Sequence, residues 1–160
     1  MIPMYKIMKY KKFLVPYDGS KFSQNALRHA MDLAKISKDS QLFLLNVIQE
    51  IYFPASFEFG RSAKKSSREL LKEIYHDMRI SALKKLEEKK SDCEKEGIDC
   101  KVSTMLGNTA NKIIEFAKEK EIDIIVMGSK GLSGISRIKA IGSVARKVSE
   151  HSPCPVLLIH

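Results

Sequence analysis

Residues 122–134 read Ile-Asp-Ile-Ile-Val-Met-Gly-Ser-Lys-Gly-Leu-Ser-Gly. The run from Ile122 to Met127 is almost wholly apolar, which predicts a strand covered on both faces. Glycine, serine and lysine follow it directly. Glycine lets the backbone turn sharply and approach a ligand closely, and amide groups exposed in such a loop can point at an anion. The stretch therefore indicates a buried strand that ends in a loop suited to phosphate.

Further apolar runs, separated by amphipathic stretches, extend this pattern along the chain. Strands are expected at Phe13–Val15, Gln41–Ile48, Ile98–Leu106, Ile122–Met127 and Val156–Ile159. Helices are expected after Ser20 and at Ser67–Glu96, Thr109–Glu121 and Ser143–His151. Strands that alternate with helices predict an α/β fold, in which a parallel sheet carries helices on both faces. The loops after the strands then share the edge of the sheet at which ligands bind.

The length and composition fit one globular domain. The chain has 160 residues, of which 44% are hydrophobic and 29% charged, and it has no run of about 18 apolar residues that could cross a membrane. We expect a short N-terminal extension at residues 1–10 and a single domain at 11–160, with a mobile connection at about 51–67. The extension lacks the continuous apolar stretch of a signal peptide, so a cytoplasmic protein is expected.

The cysteines and histidines show no spacing typical of a metal site. Cys93, Cys100 and Cys154 form no C-x-x-C pair, and the histidines and cysteines together show no zinc-finger spacing. We therefore predict no transition-metal site built from protein ligands alone, and we expect the cysteines to be small buried or half-buried side chains.

Positive charge is concentrated around the glycine-rich loop. The net charge is +9, and no Asp or Glu occurs from Ile124 to Ser149. Five basic residues fall within that range: Lys130, Arg137, Lys139, Arg146 and Lys147. Such a field attracts phosphate groups or nucleic acid. A nucleic-acid binder is one hypothesis, but the chain has no RRM or helix-turn-helix signature and its aromatic residues are not interleaved with the basic ones.

Two loops at the expected ligand edge carry groups suited to a nucleotide. Glycines after Met127 are spaced Gly-x-x-Gly-x-x-Gly, and Gly142-Ser143 opens a helix whose N-terminal amides attract anions. Neither the Walker A nor the Rossmann fingerprint is present. Asp18, after the first strand, can accept hydrogen bonds from ribose or help to hold phosphate-bound Mg²⁺. The residues alone leave simpler interpretations open: a connecting turn at the glycines, and a turn aspartate that bonds its own backbone.

Five segments, in order and spacing, resemble the universal stress protein family. They are Val15–Ser20, Leu44–Val47, Ile124–Gly131, Gly142–Val144 and Cys154–Ile159. The resemblance implies a five-stranded parallel sheet of order 3-2-1-4-5, of the adenine nucleotide α-hydrolase-like type, with helices on both faces. It also implies a homodimer, which we expect to form through the apolar edge strand Val156–Ile159.

Within this family the chain is similar to the members that bind ATP. Their pattern is Gly-x-x-Gly, nine residues, and then Gly-Ser or Gly-Thr. The resemblance implies that Asp18 contacts ribose and that Pro16, Tyr17 and the backbone of Val47 line the adenine site. The residues implied around the phosphates and ribose are Met127, Gly128, Ser129, Gly131, Gly142, Ser143 and Val144. Mg²⁺ or Mn²⁺ would be bound through the phosphates.

One spacing departs from that pattern. Ten residues, Leu132 to Ile141, separate Gly131 from Gly142, where the family has nine. An added residue within a helix would rotate whatever follows by roughly 100°. The sequence therefore predicts the position of the loop at Gly128–Gly131 more firmly than that of Gly142 and Ser143.

The favoured hypothesis is an ATP-binding regulatory or stress-response protein. No general base or nucleophile pair accompanies the glycines, so we predict no catalytic residues and at most slow ATP hydrolysis. One alternative is a family member that does not bind ATP and acts through protein partners. Another is an enzyme, a slow ATPase or a phosphoryl or nucleotidyl transferase, which would need an acidic metal ligand or a water-positioning residue at the γ-phosphate.

Overall fold

The computed structural model describes residues 10–37, 39–52, 67–132 and 141–160. Five strands alternate with four helices. The strands are β1 (Lys12–Pro16), β2 (Gln41–Ile48), β3 (Asp99–Leu106), β4 (Ile124–Gly128) and β5 (Val156–Ile159). The helices are α1 (Lys21–Ile36), α2 (Ser67–Lys95), α3 (Thr109–Glu119) and α4 (Ser143–His151). The expected extension at 1–10, apart from Tyr10, most of the connection at 51–67, and Gly134, Arg137 and Lys139 lie outside the described residues.

The five strands form one parallel sheet in the order β3-β2-β1-β4-β5. This confirms the predicted fold class and strand order. At the centre of the sheet, Leu14 of β1 lies opposite Phe43 of β2 on one side and Ile125 of β4 on the other. The strands β1, β2 and β3 follow one another towards one edge of the sheet, and β4 and β5 extend it from β1 towards the other edge. The direction of the strand order therefore reverses between β1 and β4.

Local capping explains where the helices begin and end. The Ser20 hydroxyl accepts a hydrogen bond from the Ser23 amide at 3.1 Å and begins α1, and the Asn108 side chain does the same for α3. α2 ends in a Schellman turn: the Gly97 amide donates to the Glu94 carbonyl and the Ile98 amide to the Cys93 carbonyl. Gly97 has a φ of +79° there, a conformation that favours glycine.

Strand β4 begins two residues later than predicted. The Ile122 amide donates to the Ala117 carbonyl at 2.9 Å, and Glu121 has a φ of +52°. Ile122 therefore belongs to the turn that ends α3, although its side chain is buried. The apolar run in the sequence correctly predicted burial but could not show where the backbone leaves the turn.

Side chains alternate between two apolar cores, one on each face of the sheet. Phe13 and Val15 pack with α1 and α2 in the first core, whereas Leu14 packs with α3 and α4 in the second. Cys93 and Cys100 are buried in the first core and Cys154 is half-buried beside the second, as expected for small apolar side chains. No helix in the described part of the chain is long and apolar enough to span a membrane.

Asp123 fixes the start of β1 against β4. One of its carboxylate oxygens accepts hydrogen bonds from the Lys11 and Lys12 amides, both at 2.8 Å, and its own amide donates to the Lys12 carbonyl at 3.0 Å. These bonds hold β1 beside β4 at the amino edge of the sheet, so the loops at the other edge are also held together.

Replacing Asp123 is expected to destabilise the fold. Asp123→Ala removes a charged acceptor from two amides, which should lower the free energy of unfolding by about 1–3 kcal/mol. Asp123→Asn keeps an acceptor oxygen and should lose less. Urea unfolding followed by circular dichroism measures both variants, and an Asp123→Ala protein as stable as the wild type would contradict the role given to this carboxylate.

Candidate functional site

The loops that follow β1 and β4 meet at the carboxyl edge of the sheet because the two strands are neighbours. Asp18 joins them: Oδ1 accepts from the Ser20 amide at 2.9 Å, and Oδ2 accepts from the Leu132 amide at 3.1 Å. The first bond confirms the interpretation of Asp18 as a turn aspartate that bonds its own backbone. The second bond spans 114 positions of sequence and could not be read from any local pattern.

The N-terminus of α4 lies against the same loop. The Gly142 amide donates to the Ser129 carbonyl at 2.8 Å, and a Cβ built on Gly142 would lie 3.3 Å from that oxygen. The tenth residue in the spacing between Gly131 and Gly142 therefore does not carry α4 away from the glycine loop.

The first turn of α4 has no side-chain cap. Gly142 is the N-cap residue and offers no side-chain hydrogen bond, whereas Ser20 and Asn108 cap α1 and α3. By helix geometry the amides of Ser143, Val144 and Ala145 have no partner inside the helix. These amides and the positive end of the helix dipole form an arrangement that suits an anion.

A pocket of about 290 Å³ opens between these elements. All of the residues that the family resemblance implies for the site line it: Pro16, Tyr17, Asp18, Val47, Met127, Gly128, Ser129, Gly131, Gly142, Ser143 and Val144. The structure adds Ser23, Leu45, Asn46, Thr109, Ile113, Lys130 and Ala145. Its size is near the lower end of the usual range for small-molecule sites, about 300–1,000 Å³.

One wall of the pocket is apolar and belongs to the rim of the second core. Leu45, Ile113 and Met127 are buried there, and Val47 and Val144 pack beside them. A flat apolar ring would lose water on both faces in such a position, which favours binding. The pocket is also lined by Asp18, Lys130 and the first turn of α4, so its lining combines apolar and polar groups.

Asn46 is a structural residue of the site that the sequence interpretation missed. Its side-chain amide donates to the Tyr17 carbonyl at 2.8 Å and so ties the end of β2 to the loop after β1. The available signal was its position, because Asn46 is the only polar side chain in the apolar run Leu42–Ile48. Thr109 and Ile113 were also missed, because the sequence places the start of α3 at the carboxyl edge but does not show that it lies beside the loops after β1 and β4.

Tyr17 lies between the pocket and the first core. Its side chain is buried with residues of α1 and α2, and it also lines a groove between those two helices. Burial raises the pKa of its hydroxyl group, and the nearby ammonium of Lys89 opposes that effect. Tyr17 therefore forms part of the pocket wall while most of its ring stabilises the opposite face of the sheet.

Asp18 and Lys130 are the charged side chains among the described residues that line the pocket. The Lys130 ammonium lies 5.9 Å from the centre of the Phe22 ring, within the range of a cation–π contact. The described residues contain no group of three or more His, Cys, Asp or Glu side chains that could hold a metal ion.

The chain belongs to the universal stress protein family, whose model matches residues 9–160. It is 37% identical to universal stress protein MJ0531 of Methanocaldococcus jannaschii over 94% of this chain and 82% of that protein. The solved structure of MJ0577 from the same organism is 31% identical, covers 94% of this chain and 96% of its own, and superposes with a TM-score of 0.80. A universal stress protein solved in complex with cAMP is 25% identical and covers 95% of this chain and 98% of its own, with a TM-score of 0.63.

Gly128 is required by packing. A Cβ at this position would lie 2.7 Å from Cβ and 2.8 Å from the carbonyl carbon of Phe22, at the start of α1. Among the described residues, a Cβ added at Gly131 would meet Asp18 Oδ2, at 3.0 Å. The two glycines of the Gly-x-x-Gly pattern therefore have different physical reasons to lack a side chain.

We expect Gly128→Ala to lower the stability of the fold more than Gly131→Ala does. Gly128→Ala forces the backbone of α1 away from β4 and should lower the free energy of unfolding by about 1–3 kcal/mol. Among the described residues, Gly131→Ala asks the end of the exposed Asp18 side chain to move, and it should lower the free energy of unfolding by no more than about 1 kcal/mol, the contribution of one hydrogen bond. Urea unfolding measures both variants, and equal stabilities would refute the packing role of Gly128.

Proposed function

We propose that this protein binds an adenine nucleotide, ATP, in the pocket at the carboxyl edge of the sheet and acts as a nucleotide-dependent regulatory or stress-response protein. The observation that carries the proposal is the uncapped N-terminus of α4, which lines the same pocket as a group of apolar side chains. That combination matches a ligand with an apolar ring at one end and phosphates at the other. A family member bound to cAMP, another adenine nucleotide, supports the assignment.

The lining of the pocket suggests how the nucleotide would be oriented. The adenine ring would lie against Val47, Ile113 and Met127, close to Pro16 and the backbone of Tyr17. The ribose hydroxyls would bond to Asp18, which is exposed and keeps lone pairs beyond the two already engaged. The phosphates would then reach the α4 amides.

Backbone hydrogen bonds within the protein reduce the number of amide groups that are available to bind phosphate. The amides of Ser129, Leu132 and Gly142 already donate to protein oxygens. The phosphates would therefore rely on the first-turn amides of α4, on the loop at Gly131, and on the positive charge of Lys130. Mg²⁺ or Mn²⁺ would be held through the phosphates, since the described residues provide no cluster of acidic ligands.

We favour a binding protein over a fast enzyme. Hydrolysis of the γ-phosphate needs a group that orients water or holds a metal. Asp18 is the only acid among the described residues that line the pocket, and both of its oxygens bond to backbone amides of the loops. Releasing Asp18 for catalysis would break the contact that joins the loops, so we expect turnover to be slow.

We also propose a homodimer in the cytoplasm, formed through β5. This strand is at the edge of the sheet, and Leu157 is 37% exposed on it. An apolar edge strand invites pairing with another chain, and a second copy of β5 would cover it.

Ser143→Glu tests the phosphate site without removing an amide. Ser143 is exposed in the first turn of α4, where a carboxylate stabilises the helix but repels phosphate. Titration calorimetry should show ATP binding to the wild type and a loss of at least about tenfold in the variant, which corresponds to one unfavourable charge contact. Adenosine, which has no phosphate, should bind both proteins alike.

Ser143→Gln is the matched control, because it has the same shape without the charge and should bind ATP nearly as the wild type does. Two results would overturn the proposal: a wild-type protein that binds neither ATP nor adenosine, or a Ser143→Glu protein that binds ATP with wild-type affinity. The first result would favour a family member that acts through protein partners alone.

The proposed dimer is tested by Leu157→Lys. Placing an ammonium in the apolar edge should separate the subunits, and sedimentation equilibrium should show a dimeric wild type and a monomeric variant. Ile80→Lys is the control, because Ile80 is 55% exposed on α2 and lies away from β5. A monomeric wild type at micromolar concentration, or a Leu157→Lys protein that remains dimeric, would contradict this interface.

A further inference from the structure

Ser129 joins three parts of the site through three hydrogen bonds. Its amide donates to the Ile159 carbonyl of β5 at 2.8 Å, and its carbonyl accepts from the Gly142 amide at 2.8 Å. Its hydroxyl Oγ lies 2.9 Å from Nδ1 of His160, the residue after β5. The residue has no exposed surface, although it contributes to the pocket wall.

The bond to His160 satisfies a buried hydroxyl. A buried polar group without a partner is unfavourable, so it turns or moves until it finds one. Every other group on Ser129 belongs to the backbone and is already bonded. If the imidazole were missing, this hydroxyl would lose its protein partner, and it belongs to the residue whose carbonyl receives the Gly142 amide.

The Gly142 amide sets the placement of α4. Gly142 is the N-cap residue, and its carbonyl accepts the Arg146 amide at 2.9 Å to begin the helix. Gly142 also packs closely on the loop, with a built Cβ 3.3 Å from the Ser129 carbonyl and 3.5 Å from Lys130 Cα. A shift of Ser129 would therefore move the first-turn amides of α4 relative to the pocket.

We propose that His160 is a positioning residue for the phosphate site and acts through Ser129. It is not among the residues that line the pocket, so its effect on a nucleotide is indirect. His160 holds the Ser129 hydroxyl, Ser129 holds Gly142, and Gly142 presents the amides of α4. This inference rests on the proposed nucleotide site, and it assigns to the end of β5 a role in phosphate affinity that the sequence gave no reason to expect.

Three variants test the role of His160 by titration calorimetry with ATP and adenosine. His160→Ala should weaken ATP binding by about fivefold, as expected for losing one hydrogen bond that orders the site, and leave adenosine binding unchanged. His160→Asn should restore ATP affinity to within about twofold of the wild type, because a carboxamide can place an acceptor near the position of Nδ1. Ser129→Ala removes the hydroxyl that needs a partner. In that background His160→Ala should have no further effect.

Three results would overturn the inference. One is a His160→Ala protein with wild-type affinity for ATP. Another is an equal loss for ATP and adenosine, which would indicate general damage to the fold. The third is an undiminished effect of His160→Ala in the Ser129→Ala background, which would show that the imidazole does not act through the hydroxyl.

Amide hydrogen exchange tests the same chain of contacts without a nucleotide. His160→Ala should speed exchange of the Gly142 amide by about tenfold, because its acceptor is no longer held in place. The Ser152 amide, which donates to the Val148 carbonyl at the other end of α4, should exchange as in the wild type. Unchanged exchange at Gly142 overturns the positioning role. If Gly142 responds but the wild type binds no nucleotide, the positioning of α4 stands and the proposed ligand is wrong.

Discussion

The pairing of β1 with β4 is the constraint on which the site depends. β2 and β3 lie on one side of β1, whereas β4 and β5 lie on its other side. The strand order therefore reverses at the pair of β1 and β4. The loops after β1 and β4 leave the sheet next to one another, and a crevice opens between them. Asp18 can then bond to the Leu132 amide, although the two residues are far apart in sequence.

The glycine-rich segment serves packing as well as the proposed ligand site. Gly128 allows α1 to approach β4, and Gly142 allows α4 to rest on the carbonyl of Ser129. Several amides that the sequence suggested for phosphate are engaged in these contacts. The proposed anion site is therefore smaller than the glycine pattern implied, and it is concentrated at the first turn of α4 and at Gly131.

The fold was predictable because the sequence patterns that specify its strands and helices each lie within a short stretch of the chain. Apolar runs marked β2 and β5 to the residue, the helix expected after Ser20 begins there, and alternation predicted a parallel sheet. Local signals failed where the backbone is set by contacts across the chain. Ile122 is apolar yet belongs to the turn after α3, and the partners of Asn46, Asp18 and Ser129 lie on other elements. The family resemblance supplied the candidate residues of the site, and the structure supplied the bonds that limit what each can do.

The central claim is that ATP binds with its phosphates at the N-terminus of α4. Amide chemical shifts measured by NMR during titrations with ATP and with adenosine locate the two ends of the ligand separately. The account predicts that both ligands shift amides near Val47 and Met127, and that only ATP shifts those of Gly131, Ser143 and Val144. Shifts from ATP that cluster in the groove between α1 and α2, or that leave the first turn of α4 unchanged, would contradict it.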